Sequence, residues 1–158
     1  MGKEMDRLMK IAVLKEYFTR GTTEYLELSG INFKPRNERE FKDSLLNMVD
    51  LMKVLGGFID PRRIGRFELA KVGDELGVRI NHYIILERER LQYEDRFCYV
   101  MFDVINYVVE NLMDLDEVFH TYVIMKGDKF IKPKLSGGDN SAFDNNTFCN
   151  KLDERQKH

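Results

Sequence analysis

The chain has 158 residues, of which 43% are hydrophobic and 33% are charged, and its formal net charge is -2 at pH 7. That length suits one domain, and that composition is typical of a globular protein and excludes an intrinsically disordered one. The nearly balanced charge excludes a global attraction to nucleic acid or to an anionic membrane, so any such binding has to come from a local patch.

The two cysteines, Cys98 and Cys149, are far apart in the sequence and belong to no C-x-x-C motif. We therefore expect neither a disulfide framework nor a zinc site, and the predicted location is a reducing, cytoplasmic compartment. The N-terminal residues carry charges throughout, whereas a signal peptide has an uninterrupted apolar segment.

The first predicted element is an amphipathic helix over residues 3–19, with Gly21 as its stop. One broad face of this helix is apolar and consists of Met5, Leu8, Met9, Ala12 and Tyr17. After the helix, apolar and polar residues alternate on both sides of Gly30. This alternation predicts one or two short strands within residues 22–33.

A second helix is predicted over residues 37–55. Asn37 suits its N-cap, and Glu40 follows three residues later in a variant of the capping box. An apolar stripe then recurs at spacings of three and four residues: Phe41, Leu45, Met48, Met52 and Leu55. Two consecutive glycines end the helix.

Residues 61–90 allow two structures. The apolar residues of one parity predict strands after a turn at residues 72–75: Leu76, Val78, Ile80, Ile84 and Leu86. The segment VGDELGVRINHYIILER also resembles a helix-turn-helix unit, with Gly77 at its turn. In that alternative the protein is mostly α-helical. Isoleucines would then occupy the DNA-reading face, where polar side chains are needed, so the helix-turn-helix is the second choice.

A third helix is predicted over residues 93–113, and it covers most of the unusually apolar segment VMFDVINYVVENLMDL, residues 100–115. Its polar residues share one narrow stripe: Asp103, Asn106 and Glu110. A membrane span needs about 20 apolar residues with few charges, so no membrane insertion is predicted. A central core helix is the favoured interpretation. The alternative is a helix that keeps a surface for a protein partner at Tyr107 and Val108.

Strand-forming residues follow, and they flank a Gly-Asp step that suits a tight turn. A C-terminal β-hairpin is therefore predicted over about residues 118–134, with Pro133 in an edge strand. The predicted fold class is α+β, with three main helices, short strands and this hairpin.

Residues 1–135 are predicted to form a single globular domain, and residues 136–158 a flexible C-terminal tail. The tail is rich in Gly, Asn, Asp and Ser, which favours disorder. Phe143 and Phe148 are its large apolar residues, and their spacing suits a short docking motif that orders when it binds a partner.

No motif in the chain fixes a reaction, and neither catalytic residues nor a cofactor is predicted. The three histidines, His82, His120 and His158, are widely separated and lack the H-E-x-x-H spacing, so no metal site is expected. P-loop, G-x-S-x-G and G-x-G-x-x-G motifs are absent from the sequence. Asp103 lies among apolar residues, where a carboxylate needs a partner or a shifted pKa.

Arg62, Arg63 and Arg66 are candidate contacts to phosphate or nucleic acid, because guanidinium groups pair well with phosphate oxygens. The first predicted function is nevertheless a non-enzymatic protein-binding adaptor, regulator or assembly subunit. It would act through an apolar helix surface, by binding a protein partner or by self-association. The second is a DNA-binding regulator that uses the helix-turn-helix-like segment at residues 61–90.

Overall fold

The computed structural model describes residues 2–54, 59–63 and 65–125. These residues form helices packed on a three-stranded antiparallel sheet of order β1-β2-β3, and the predicted α+β fold class is confirmed. The elements in chain order are α1 (Gly2–Leu28), α2 (Glu38–Val54), β1 (Phe67–Val72), β2 (Glu75–Ile80), β3 (Tyr83–Leu86), α3 (Tyr93–Asn111) and α4 (Leu115–Val118). A π-helical turn, Phe119–Ile124, follows α4 directly.

The first helix is longer than predicted, because α1 continues to Leu28. The strands predicted after residue 22 are therefore wrong. Gly21 is buried inside the helix, where packing outweighs the helix cost of glycine, about 1 kcal/mol. The stop is Gly30, which has a left-handed φ of 81°. There Ile31 N donates to Leu26 O at 3.1 Å, and Gly30 N donates to Glu27 O at 3.0 Å. This pair of bonds is a Schellman motif.

The second helix confirms its prediction closely, since α2 covers Glu38–Val54. Asn37 Oδ1 accepts a hydrogen bond from Glu40 N at 3.0 Å, and Asn37 Nδ2 donates to Glu40 Oε2 at 2.9 Å. The two side chains thus form the predicted variant of the capping box, in which the Glu40 carboxylate accepts from the Asn37 side chain instead of the Asn37 backbone N. The described part of the predicted apolar stripe is buried: Phe41, Leu45, Met48 and Met52.

Residues 67–86 form a β-meander, so the helix-turn-helix alternative is wrong. Strand β1 pairs with β2 from Phe67↔Ile80 to Val72↔Glu75, with the left-handed Gly73 in the turn between them. Strands β2 and β3 are joined by the two-residue turn Asn81-His82. This short turn sets the register so that Ile85 faces the core beside Val78.

Helix α3 lies at the centre of the molecule and contacts α1, α2, β2 and β3. Its most deeply buried side chains are Phe97, Met101 and Val109. Phe97 packs edge-on against Phe33, with ring centroids 5.3 Å apart. The apolar helix predicted over residues 93–113 is therefore present and serves as the hub of the core.

The strand predicted to begin at residue 118 is wrong, because α4 and the π-helical turn occupy residues 115–124. Asp114 caps α4, and its side chain accepts from Glu117 N at 3.2 Å. Tyr122 packs against Phe18 of α1, with ring centroids 6.5 Å apart. A cap and aromatic packing thus override the strand propensity of this segment. The rest of the predicted hairpin and the tail with Phe143 and Phe148 lie outside the described residues.

Candidate functional site

The three arginines singled out in the sequence lie together at one end of the sheet, where β1 begins and β2 ends. With Arg79 of β2 they line an open concavity of about 670 Å³, which we call the arginine basin. Its lining residues are Arg62, Arg63, Gly65, Arg66, Glu68, Arg79, Asn81, His82, Asn111 and Leu112. The structure thus brings together residues that the sequence separates by up to fifty positions.

Arg62 is held by a buried carboxylate. Its Nε donates to Asp60 Oδ1 at 3.0 Å, and its Nη2 donates to Asp60 Oδ2 at 2.8 Å. Hydrogen bonds from Arg62 hold the pKa of Asp60 below its ordinary value, against the opposing effect of burial. The pair fixes Arg62 at the rim of the arginine basin, and its side chain remains largely exposed.

The other arginines of the basin differ in how firmly they are engaged. Arg63 Nη1 donates to the backbone oxygens of Asn111 at 3.3 Å and Met113 at 3.4 Å, which ties it to the end of α3. Arg79 Nη1 lies 3.7 Å from Glu68 Oε1. Within the described part of the chain, no hydrogen-bond or ion-pair partner faces the exposed side chain of Arg66. The basin therefore combines fixed and available guanidinium groups.

Asn81, in the β2–β3 turn, forms hydrogen bonds with the backbone of Arg63 and Arg66. It has a left-handed φ of 56°, and its backbone N donates to Arg66 O at 2.9 Å. Its side-chain Nδ2 donates to Arg63 O at 3.1 Å. Gly65 packs so closely that a Cβ there would lie 1.5 Å from Asn81 Oδ1. The close packing of Gly65 on Asn81 thus sets the distance between the β2–β3 turn and the residues Arg63 and Arg66.

Sequence reasoning missed Arg79, Asn81 and His82 as members of this site. Once β1 and β2 are paired from Phe67↔Ile80, however, residues 79–82 must lie beside the start of β1. The strand pattern of residues 67–80 contained that register, but the competing helix-turn-helix interpretation obscured it.

The predicted partner surface on α3 has a different environment from the one expected. Val108 is only 5% exposed and lies in the core, so a partner-binding role does not fit its burial. The Tyr107 ring stacks on the Tyr83 ring of β3, with centroids 4.3 Å apart and planes 9° from parallel. Asn111 of the arginine basin donates from Nδ2 to Tyr107 O at 3.1 Å. Tyr83 follows His82 of the basin in the chain, but neither tyrosine belongs to the lining of the basin.

Asp103 has the shifted pKa that its sequence context suggests. Burial raises its pKa above the ordinary value, and the positive charge of Arg88 opposes that rise. Arg88 itself lies over the Tyr99 ring, 4.3 Å from the centroid. Since Asp103 lies on the partly exposed stripe of α3, we assign no chemistry to it.

A second surface lies on α1, where four of the five residues of the predicted apolar face are exposed to solvent. Met5, Leu8 and Met9 are 66%, 53% and 46% exposed, and Ala12 is also exposed. We call these four residues the outer face of α1. The opposite side of the helix supplies the core residues Ile11, Leu14 and Phe18.

Contacts from two other helices hold α1 in this orientation. Lys10 Nζ lies 2.7 Å from Asp116 Oδ1 and stands over the Phe119 ring, 5.7 Å from its centroid. Lys15 forms an ion pair with Glu110 of α3. Ile11, Leu14 and Phe18 are thereby held against the core, and Met5, Leu8 and Met9 are exposed.

The described residues contain neither a metal-binding cluster nor a membrane-spanning helix. No group of three or more His, Cys, Asp or Glu side chains in that part of the chain could hold a metal ion. None of the described helices combines the length and the apolar character that crossing a bilayer requires.

The chain matches no protein-family model, no curated protein and no solved structure. Its function is therefore inferred from its own residues. The outer face of α1 and the arginine basin are the two surfaces on which an inference can rest.

Proposed function

We propose that the protein is a non-enzymatic assembly subunit that binds protein through the outer face of α1, with a second copy of the same chain as the occupant. The observation that carries this proposal is the exposure of Met5, Leu8 and Met9 on adjacent turns of one helix.

Single exposed apolar side chains are normal on protein surfaces, but clusters on one helix face are not. The outer face has the spacing i, i+3, i+4 and i+7 that is typical of a helix-packing surface. Burial of one such side chain contributes about 1.5–3 kcal/mol relative to exposure. A helix that is apolar on both sides therefore gains free energy when a second surface covers its outer side.

A second copy suits this face because its four residues are uncharged and the lysine next to them on this side of the helix, Lys15, is paired with Glu110. In a two-fold symmetric contact the same patch meets itself, so any charge at its centre would repel its own copy. On the next turn the ion pair between Glu16 and Arg20 ends the apolar stretch. Four side chains of one helix bury less area than the roughly 1,200–2,000 Å² of a stable protein–protein interface. We therefore expect a weak dimer, with an affinity of about micromolar or weaker.

Light scattering and sedimentation velocity over a wide range of protein concentration test the proposal. We expect a reversible dimer, and we expect Leu8→Glu to shift the protein to monomer because it places two like charges at the dimer axis. The matched control is Leu46→Glu, since Leu46 is a 44% exposed leucine on α2. Neither leucine is in the core, so both variants should melt close to the wild type.

A wild-type protein that remains monomeric at every concentration would refute self-association. Equal loss of association in the Leu8 and Leu46 variants would indicate non-specific hydrophobic association, and it would also reject the outer face as the contact. If the Leu8→Glu variant still dimerises like the wild type, the contact lies on another surface and the proposal is wrong.

A further inference from the structure

We infer that the arginine basin is a binding site for a small, multiply charged phosphate-bearing ligand, separate from the outer face of α1. The observation behind this inference is the convergence of Arg62, Arg63, Arg66 and Arg79 on one concavity. Self-association through the outer face of α1 does not need such a site, so a result that refutes one of the two proposals leaves the other unaffected.

The charge of the basin selects the class of ligand. Four guanidinium groups share its lining with one carboxylate, that of Glu68. The four guanidinium groups exceed the two carboxylates that line the basin or pair with Arg62, those of Glu68 and Asp60, by two positive charges. Asp114 and Glu117 also act on Arg62, but they lie outside the lining of the basin. A phosphate monoester carries a charge of about -1.5 to -2 at pH 7, whereas one carboxylate carries a single charge. A phosphate group therefore compensates the excess better than one acidic side chain does.

Hydrogen-bond donors remain available for such a group. Arg66 is engaged by no side chain of the described residues, and Arg62 uses only Nε and Nη2 toward Asp60. The 3.7 Å separation between Arg79 and Glu68 is too long for a hydrogen bond. Arginine presents its donors in a planar fork, which matches two phosphate oxygens at once.

The basin is also held in shape before any ligand arrives. Asn81 Nδ2 holds the backbone of Arg63, and the Arg63 side chain is anchored on the backbone of Asn111 and Met113. A fixed loop loses less conformational freedom on binding than a mobile one, so a larger share of the interaction energy appears as affinity.

The surroundings of the basin favour a small ligand over a long polyanion. Its volume of about 670 Å³ falls within the usual range of small-molecule sites. The hydrogen bond to Asp60 is the main cause that raises the pKa of Arg62, and the nearby negative charges of Asp114 and Glu117 add to it. A duplex that ran across this end of the molecule would bring its phosphates toward these carboxylates, whereas a compact ligand can stay among the arginines.

Isothermal titration calorimetry with inorganic pyrophosphate at physiological ionic strength tests the site. We expect binding at one site per chain, and about tenfold weaker binding in Arg66→Gln, which corresponds to about 1.4 kcal/mol. Since the Arg66 side chain is exposed, this variant should fold normally. The matched control is Arg39→Gln, which removes an exposed arginine of α2 outside the basin and should leave the affinity unchanged.

Absence of pyrophosphate binding to the wild type would overturn the inference. Equal weakening in the Arg39 and Arg66 variants would overturn it too, because the binding would then follow net charge rather than the basin. A duplex oligonucleotide or an acidic peptide that binds more tightly than pyrophosphate and loses affinity in Arg66→Gln would assign the basin to a macromolecule. Pyrophosphate binding that is unchanged in Leu8→Glu would show that the two surfaces act separately.

Discussion

Helices α1 and α3 are both rich in apolar residues, yet they have opposite roles in the molecule. Helix α3 is surrounded by α1, α2 and the sheet, whereas the described contacts of α1 come mainly from α3 and α4 on one side. The most apolar helix, α3, therefore has none of the exposed large apolar side chains, whereas α1 has three of them. The elements that pack around a helix, rather than its apolar content, decide which helix keeps exposed apolar residues.

The strongest way to break this comparison is to make the same substitution in both helices. Met101 of α3 is fully buried, whereas Met9 of α1 is on the outer face. We expect Met101→Ala to lower the free energy of unfolding by about 2–5 kcal/mol, because it removes transfer energy and leaves a cavity. Met9→Ala should change it by less than about 0.5 kcal/mol.

Urea denaturation monitored by circular dichroism measures both changes, at low protein concentration so that any dimer is dissociated. Similar losses in the two variants would show that the outer face of α1 is covered within one chain. In that case the proposed assembly surface would not exist.

A second, smaller contrast concerns how the two helices end. Helix α1 ends in the Schellman motif at Gly30, whose φ is 81°, whereas α3 ends at Leu112 with an ordinary right-handed φ of -116°. A Cβ on Gly30 would meet no atom within 4 Å, so the cost of Gly30→Ala is conformational alone.

We expect Gly30→Ala to destabilise the protein by about 1 kcal/mol, which differential scanning calorimetry would detect as a shift of several degrees. Gly30→Asn should cost less, since asparagine adopts the left-handed region more readily. If alanine and asparagine cost the same amount, the left-handed conformation is not what ends α1.

Local signals in the sequence predicted the elements whose causes are local. The Asn37–Glu40 cap and the apolar stripe of α2 needed no information from elsewhere in the chain. The turn at Gly73 and the alternation of residues 76–80 likewise predicted the strand after that turn, which is β2, although the helix-turn-helix alternative was left open. The α+β class followed from these elements together.

The errors arose where distant contacts decide between local alternatives. Helix α1 has apolar residues on both sides, so its own pattern could not show which side meets α3 and α4. Tyr122 and Val123 have high strand propensity, but their packing on the core keeps them in a π-helical turn. In the arginine basin, Arg62, Arg63 and Arg66 were visible as a cluster, whereas Arg79 and Asn81 join them only through strand register.

The smallest expected effect concerns two carboxylates on α3 itself. Asp103 lies where burial raises its pKa from the ordinary 3.8, and Arg88 only partly opposes the rise. Glu110, two helical turns further along α3, is exposed and paired with Lys15 of α1. The comparison of the two helices thus extends to charge, because α1 supplies a partner to one acid of α3 and leaves the other to its desolvation.

The raised pKa of Asp103 means that the folded protein binds this proton more tightly than the unfolded chain does. Between the unfolded value and the raised folded value, the contribution of Asp103 to stability therefore falls as the pH rises. Above both values, ionised Asp103 carries a constant penalty, so Asp103→Asn should modestly stabilise the protein at pH 7 and remove this part of the pH dependence. Thermal melts from pH 3 to pH 7 measure the effect, with Glu110→Gln as the control that should not stabilise. A lower melting temperature for Asp103→Asn at pH 7 would mean that the attraction of Arg88 outweighs the desolvation of the carboxylate.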